Sequence, residues 1–280
     1  MTTASALPSA ASGFASASPG PAKLLRASGI ESLALRVMPH AQATTFPEVT
    51  VVGDVDGQER TDVTGWVSQA VHDVDKLTGR SSTGTLLVLA PRSEAEFARL
   101  YGSSNITDIQ ADTVFSRTKK SYIVFNAAQS IDVVSGSSAT STMPQVRSGR
   151  VSRKVLTHEV FHALTLTYAA RRHLPLWLTE GYAEWAGQTF SGLHLKPKHR
   201  GTGLPSNSDM TGHDAVDAYQ VATSFVRYVV KTCGQHKAIA FYRKAVAHPG
   251  QPLGPLAKQE LGRSLSVLVH GWQRDGRPAH

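Results

Sequence analysis

Two neighbouring stretches decide how this chain is read: Thr157-His158-Glu159-Val160-Phe161-His162, and then Leu176-Trp177-Leu178-Thr179-Glu180-Gly181-Tyr182-Ala183-Glu184-Trp185. In the first, the apolar residues Val151, Val155, Val160, Phe161, Ala163 and Leu164 recur at helical spacing, so the segment reads as a helix anchored in a core. Residues four apart on such a helix share a side, because each step turns about 100°. Both imidazoles therefore project together. Two neutral ring nitrogens held that way can bind one divalent ion. Glu159 stands about 100° round from His158, beside the ion rather than on it, where a carboxylate can take a proton from water.

The second stretch sets two carboxylates four residues apart among Trp177, Leu178, Ala183 and Trp185. Burying acidic groups in such company is costly unless a cation or a hydrogen-bond donor meets them. Glu180 is therefore expected as the third metal ligand, leaving a fourth position open, as catalytic zinc requires. Glu184, one turn on, is expected to accept the other ring N–H of His158 or His162 and fix its tautomer. Zinc, one ion per chain, is the cofactor expected from this ligand set.

Outward from the site, the chain divides by composition. Residues 1–43, rich in Ala, Ser, Pro and Gly, read as a flexible tail in which only residues 24–38 have the apolar content for a marginal helix. Residues 44–280 read as one α+β domain with lobes of about 44–170 and 171–280. In the first lobe, strands are expected at residues 49–52, 86–90 and 122–125, with helices between them. The Val63 to Leu77 apolar series and the Ser93/Glu96 capping box mark those helices. A Ser/Thr/Gly-rich segment at 135–149 leads into helices expected near 151–170, 176–188, 214–232, 236–247, 255–261 and 264–273. Residues 191–212, with Gly192, Gly201, Gly203 and Gly212, read as a long loop.

Composition narrows the class of function. The 280 residues carry a net charge of +8, but the basic residues are scattered, without a long run or interleaved aromatics, so nucleic acid is not expected as a partner. Cys233, the single cysteine, excludes an intrachain disulfide and a cysteine metal cluster, and reads as a small core residue. No apolar run is long enough to span a membrane, and the N-terminus lacks the charged start and apolar core of a secretory signal. The compartment stays open: inside the cell or, with a leader ahead of the present start, secreted or at the cell surface.

The pattern His158-Glu159-x-x-His162 followed by Trp177-Leu178-x-Glu180-Gly181-x-Ala183 resembles the gluzincin metallopeptidases. It is closest to the zinc aminopeptidases and smaller peptidase MA-like domains, and more distantly similar to thermolysin. The resemblance covers roughly residues 150–232. It implies a zincin-like fold, with the metal-binding helix between a mixed-sheet lobe and a helical lobe. It also implies hydrolysis of peptide or protein substrates, with Glu180 as third zinc ligand and Glu184 supporting a histidine. Seventeen residues lie between His162 and Glu180, one fewer than is usual in the aminopeptidases. The segment from Tyr219 to Val229 is similar to the aminopeptidase segment whose leading tyrosine stabilises the oxyanion, a role a phenol near the metal can fill. Tyr219 is the residue expected there, with Tyr182, His194 and His213 as weaker candidates. The strand that binds a substrate's free amine in aminopeptidases has no counterpart. Residues 122–126 could be the corresponding edge strand, able to pair with an extended peptide, but they lack the anchoring glutamate. An endopeptidase or a narrow-specificity enzyme is thus expected over an aminopeptidase. The alternative is a non-catalytic metal-binding or peptide-binding module of the same fold.

Overall fold

The computed structural model describes residues 29–82, 84–102, 109–115, 121–127, 149–198 and 202–275. The fold is α+β. On the N-terminal side, α1 (Gly29–Val37), α2 (Gly57–Thr78) and α3 (Glu94–Tyr101) accompany strands β1 (Gln42–Phe46), β2 (Val49–Gly53), β3 (Leu86–Ala90), β4 (Ala111–Val114) and β5 (Tyr122–Phe125). The strands form one sheet in the order β1-β2-β3-β5-β4. The three central strands are parallel, and β1 and β4 close the two ends antiparallel.

Side chains of a strand point alternately to opposite faces, and here each face has its own cover. Val49, Val51, Val88, Ala90, Ile123 and Phe125 join the core that includes Val63, Val67, Val71 and Val74 of α2. Val52, Leu89, Tyr122 and Val124 pack instead with Ala34, Val37, Met38, Phe97 and Leu100 of α1 and α3. Capping boxes at Asp56/Glu59 and Ser93/Glu96 start α2 and α3. Gly79 and Gly102, both left-handed, end them.

The C-terminal side is helical: α4 (Gly149–Thr165), α5 (Tyr168–His173), α6 (Leu176–Ser191), α7 (Asn207–Thr211), α8 (Ala215–Cys233), α9 (Gln235–Ala247), α10 (Leu253–Leu261) and α11 (Leu265–Asp275). The larger core runs without a break from Val49 to Leu268, through Leu156, Val160 and Phe161 of α4. Tyr242 ties α9 to it, its ring centroid 5.1 Å from Phe161 and 4.8 Å from Tyr182. No described helix is long and apolar enough to cross a membrane.

Several expectations need correction. The folded chain begins before residue 44: α1 lies within the expected tail and β1 starts in it, because Ala34, Val37 and Met38 bury against the outer face of the sheet. Residues 1–28 of that tail, and nearly all of the 135–149 segment, lie outside the described residues. The helix expected over 151–170 is two helices, since Thr167 takes an extended conformation and caps α5 by accepting from the Ala170 N–H. Inside the expected 191–212 loop, the Ser206/Asp209 capping box starts the short α7. Finally, residues 122–125 are not an edge. β5 is interior and fully buried, and β4 pairs along its far side.

Candidate metal centre

α4 and α6 carry the charged groups and must approach closely to bring them together. Glycine makes this contact: a Cβ on Gly187 would stand 2.6 Å from the Lys154 carbonyl oxygen of α4 and 3.5 Å from the His158 Cβ. On its other side α6 meets α8, where a Cβ on Gly181 would sit 3.2 Å from Ala222 and Val226. α6 is thus clamped between two helices and is buried nearly all round, its polar Thr179, Glu184 and Gln188 included.

The ligands expected from the sequence converge. His158 Nε2 and His162 Nε2 lie 3.1 Å apart, and Glu180 Oε2 lies 3.2 and 3.1 Å from them. Three donors at about 2.0–2.2 Å from a tetrahedral ion stand roughly 3.3–3.5 Å apart, so this triangle is close to the size such an ion requires. His158, His162 and Glu180 can therefore hold a metal ion.

The proton inventory points the same way. Glu184 Oε2 lies 3.3 Å from His158 Nδ1, and an ionised carboxylate only accepts. In neutral His158 the proton then sits on Nδ1, and the Nε2 lone pair faces the Glu180 carboxylate. Two acceptors facing each other need a cation between them. With protons as the only available cations, burial disfavours a charged His158, but hydrogen bonds to Glu180 and Glu184 and the Glu159 charge prevail and raise its pKa to about 10. Burial likewise pushes Glu180 and Glu184 up. The histidines, with Lys154 at Glu184, outweigh that and leave both carboxyls well below the usual carboxylate range. His162 differs from His158 in that its Nδ1 is buried with no hydrogen-bond partner among the described residues. The Glu180 side chain keeps 16% exposure, so the triangle opens to solvent on that side.

Glu159 lies alongside, its Oε1 4.0 Å from His158 Nε2. The Thr113 hydroxyl of β4 reaches both Glu159 Oε2 at 2.7 Å and the Glu159 carbonyl oxygen at 2.9 Å. Its single proton serves one or both of these acceptors. Tyr219 of α8 stacks on His158, with ring centroids 6.4 Å apart. Burial, the charges of Glu180 and Glu159 and a hydrogen bond to Glu180 raise its pKa, so the phenol stays protonated and can donate. Asp112, next to Thr113, is raised to about 7 by burial and by the Glu159 charge, against the pull of Arg171.

The weaker tyrosine and histidine candidates do not join this group. Tyr182 is buried and donates to the Ala238 carbonyl oxygen, 3.0 Å away. His194 is exposed beside Arg227, and His213 is fully exposed beside Asp214. Cys233 is half-buried at the end of α8, packed against the core.

Sequence reasoning missed Thr113, Lys154, Gln188 and Gln220. Glu184 Oε1 accepts from Lys154 Nζ at 2.9 Å, Gln188 Nε2 at 2.8 Å and Gln220 Nε2 at 3.0 Å. Lys154 carried a readable signal, since it precedes His158 by one helical turn. Thr113 and Gln220 carried none, because tertiary packing alone brings them here. No protein-family model and no curated protein matches this sequence.

Proposed function

We propose that this protein is a zinc-dependent peptidase of the gluzincin kind. One observation carries the reading: His158, His162 and Glu180 converge within 3.2 Å, with the Glu159 carboxylate beside them and braced by Thr113. Two imidazoles and one carboxylate suit Zn²⁺ and leave a coordination position free for chemistry. When bound, the ion makes water a nucleophile near neutral pH and polarises a carbonyl oxygen.

The remaining work falls to the chain. Glu159 takes the proton of the attacking water on its carboxylate and returns it to the leaving amine. Thr113 holds that carboxylate by its other oxygen. The Tyr219 hydroxyl donates to the carbonyl oxygen as negative charge builds there. An extended peptide would pair with β4, which ends the sheet among the described residues next to α4. This role passes to β4 from residues 122–126, which are interior.

A peptide-library digest read by mass spectrometry, with and without a chelator, tests the proposal. Cleavage that stops with chelation and returns with zinc supports it. A protein that binds zinc and cleaves nothing would instead be the non-catalytic module.

A further inference from the structure

Glu184 is held more firmly than a bystander needs to be. Its four contacts are all donors: Lys154, Gln188 and Gln220 on Oε1, and the His158 Nδ1–H on Oε2. The two amide protons of Gln188 are both committed, one to Glu184 and the other to Gln220 Oε1 at 2.7 Å. The Gln188 carbonyl is fixed in turn, because Oε1 accepts from Arg227 and from the Leu195 N–H at 3.0 Å. Neither carboxamide can flip without breaking several of these bonds, so both must present nitrogen to Glu184. Gln188 and Gln220 are buried, and the Lys154 side chain is only 18% exposed. The surroundings are therefore too dry for water to replace a lost donor cheaply.

We propose that Lys154, Gln188 and Gln220 are positioning residues for the metal centre, holding Glu184 as an oriented acceptor that fixes His158 with its Nε2 lone pair toward the ion. The proposal rests on the metal reading above and extends it to residues that touch neither ion nor substrate. Charge supports it as well. Glu159, Glu180 and Glu184 are three carboxylates in this small volume, and Lys154 is the cation in direct contact with Glu184. Without Lys154, Glu184 loses a charge-assisted hydrogen bond.

The test uses the full chain with Lys154→Met, which keeps an unbranched side chain one atom shorter and removes its charge, Lys154→Arg as the conservative variant, and Gln220→Leu. Zinc dissociation constants come from competition with a chromophoric chelator, and thermal melts of the metal-free proteins establish folding. Lys154→Met and Gln220→Leu are expected to bind zinc about tenfold more weakly, the low end of the effect of losing the outer partner of a ligating histidine, because they act on that partner, Glu184. Lys154→Arg should recover most of that loss. The cobalt-loaded visible spectrum should shift in Lys154→Met, which a general loss of stability would not cause. Folded variants with unchanged zinc affinity overturn the proposal, and Gln220→Leu decides alone if Lys154→Met does not fold. An unmutated chain that binds no zinc is a separate outcome: it removes the metal reading itself, and this inference with it.

Discussion

Replacing Gly187 by alanine sets two opposed effects against each other at the contact between the ligand-bearing helices. Alanine favours helix over glycine by about 1 kcal/mol. Its methyl group, however, would lie 2.6 Å from the Lys154 carbonyl oxygen, a backbone atom that cannot rotate away. Restoring an ordinary contact of 3.4 Å means parting α4 and α6 by about 0.8 Å, the difference between those distances. Overpacking of this kind costs about 1–3 kcal/mol. The net effect is thus about zero to 2 kcal/mol of destabilisation, or up to roughly 8 °C in Tm for a chain of this size. The larger consequence is at the metal. A shift carried along α6 to Glu180 would stretch its 3.1–3.2 Å separations from the histidines toward 4 Å, wider than the roughly 3.3–3.5 Å between donors on one tetrahedral ion. Melting curves of the metal-free protein and chelator competition for zinc measure the two effects separately. The variant is expected to melt at or below the unmutated protein and to bind zinc about tenfold or more weakly, the scale of a displaced support. A raised Tm with unchanged zinc affinity would show that the helices accommodate a methyl group freely, and would refute the packing argument.

Three further outcomes follow from the same geometry. Thr113→Val removes a hydrogen bond to a charged carboxylate worth about 1.5–3 kcal/mol; peptide turnover should fall about tenfold or more with zinc content intact, and unchanged turnover would free Glu159 of this brace. Tyr219→Phe should lower kcat by about 10²–10³, the effect of losing one oxyanion donor, with KM little altered; equal kinetics would take Tyr219 out of the site. In the metal-free protein, the raised pKa of His158 adds stability that is fully present below its ordinary value of 6.5 and is lost as pH rises to about 10, so Tm should fall between pH 6.5 and 10. Zinc should suppress that fall by replacing the proton, and should itself be released in acid as the histidines protonate; matching profiles with and without zinc would contradict both statements.

The His158/His162/Glu180 group was legible where local spacing fixes direction. His158 and His162 face one way on any helix, and Glu180 and Glu184 stood out because carboxylates among tryptophans need partners. β2, β3 and β5 were legible as compact apolar runs. β4 was not, because Ala111-Asp112-Thr113-Val114 is short and polar at Asp112 and Thr113. Missing β4 made β5 look like an edge. The same gap hid Thr113, whose bond to Glu159 spans 46 residues of chain. The polar, half-exposed residues of β1 gave no strand pattern, so the start of the folded region was placed too late. Gln188 and Gln220 meet only because Gly181 lets α6 and α8 approach, and no single-helix pattern contains that contact.

The central claim is that Glu159 performs chemistry at a metal that others hold. Glu159→Gln keeps the shape of the side chain and leaves His158, His162 and Glu180 untouched, so zinc content and cleavage of the best library peptide should be measured on the same preparation. Full zinc occupancy, one ion per chain, with turnover lowered about 10²–10⁴-fold, the usual contribution of a general base, is the expected result. A zinc-loaded variant that cleaves at the unmutated rate would contradict the account.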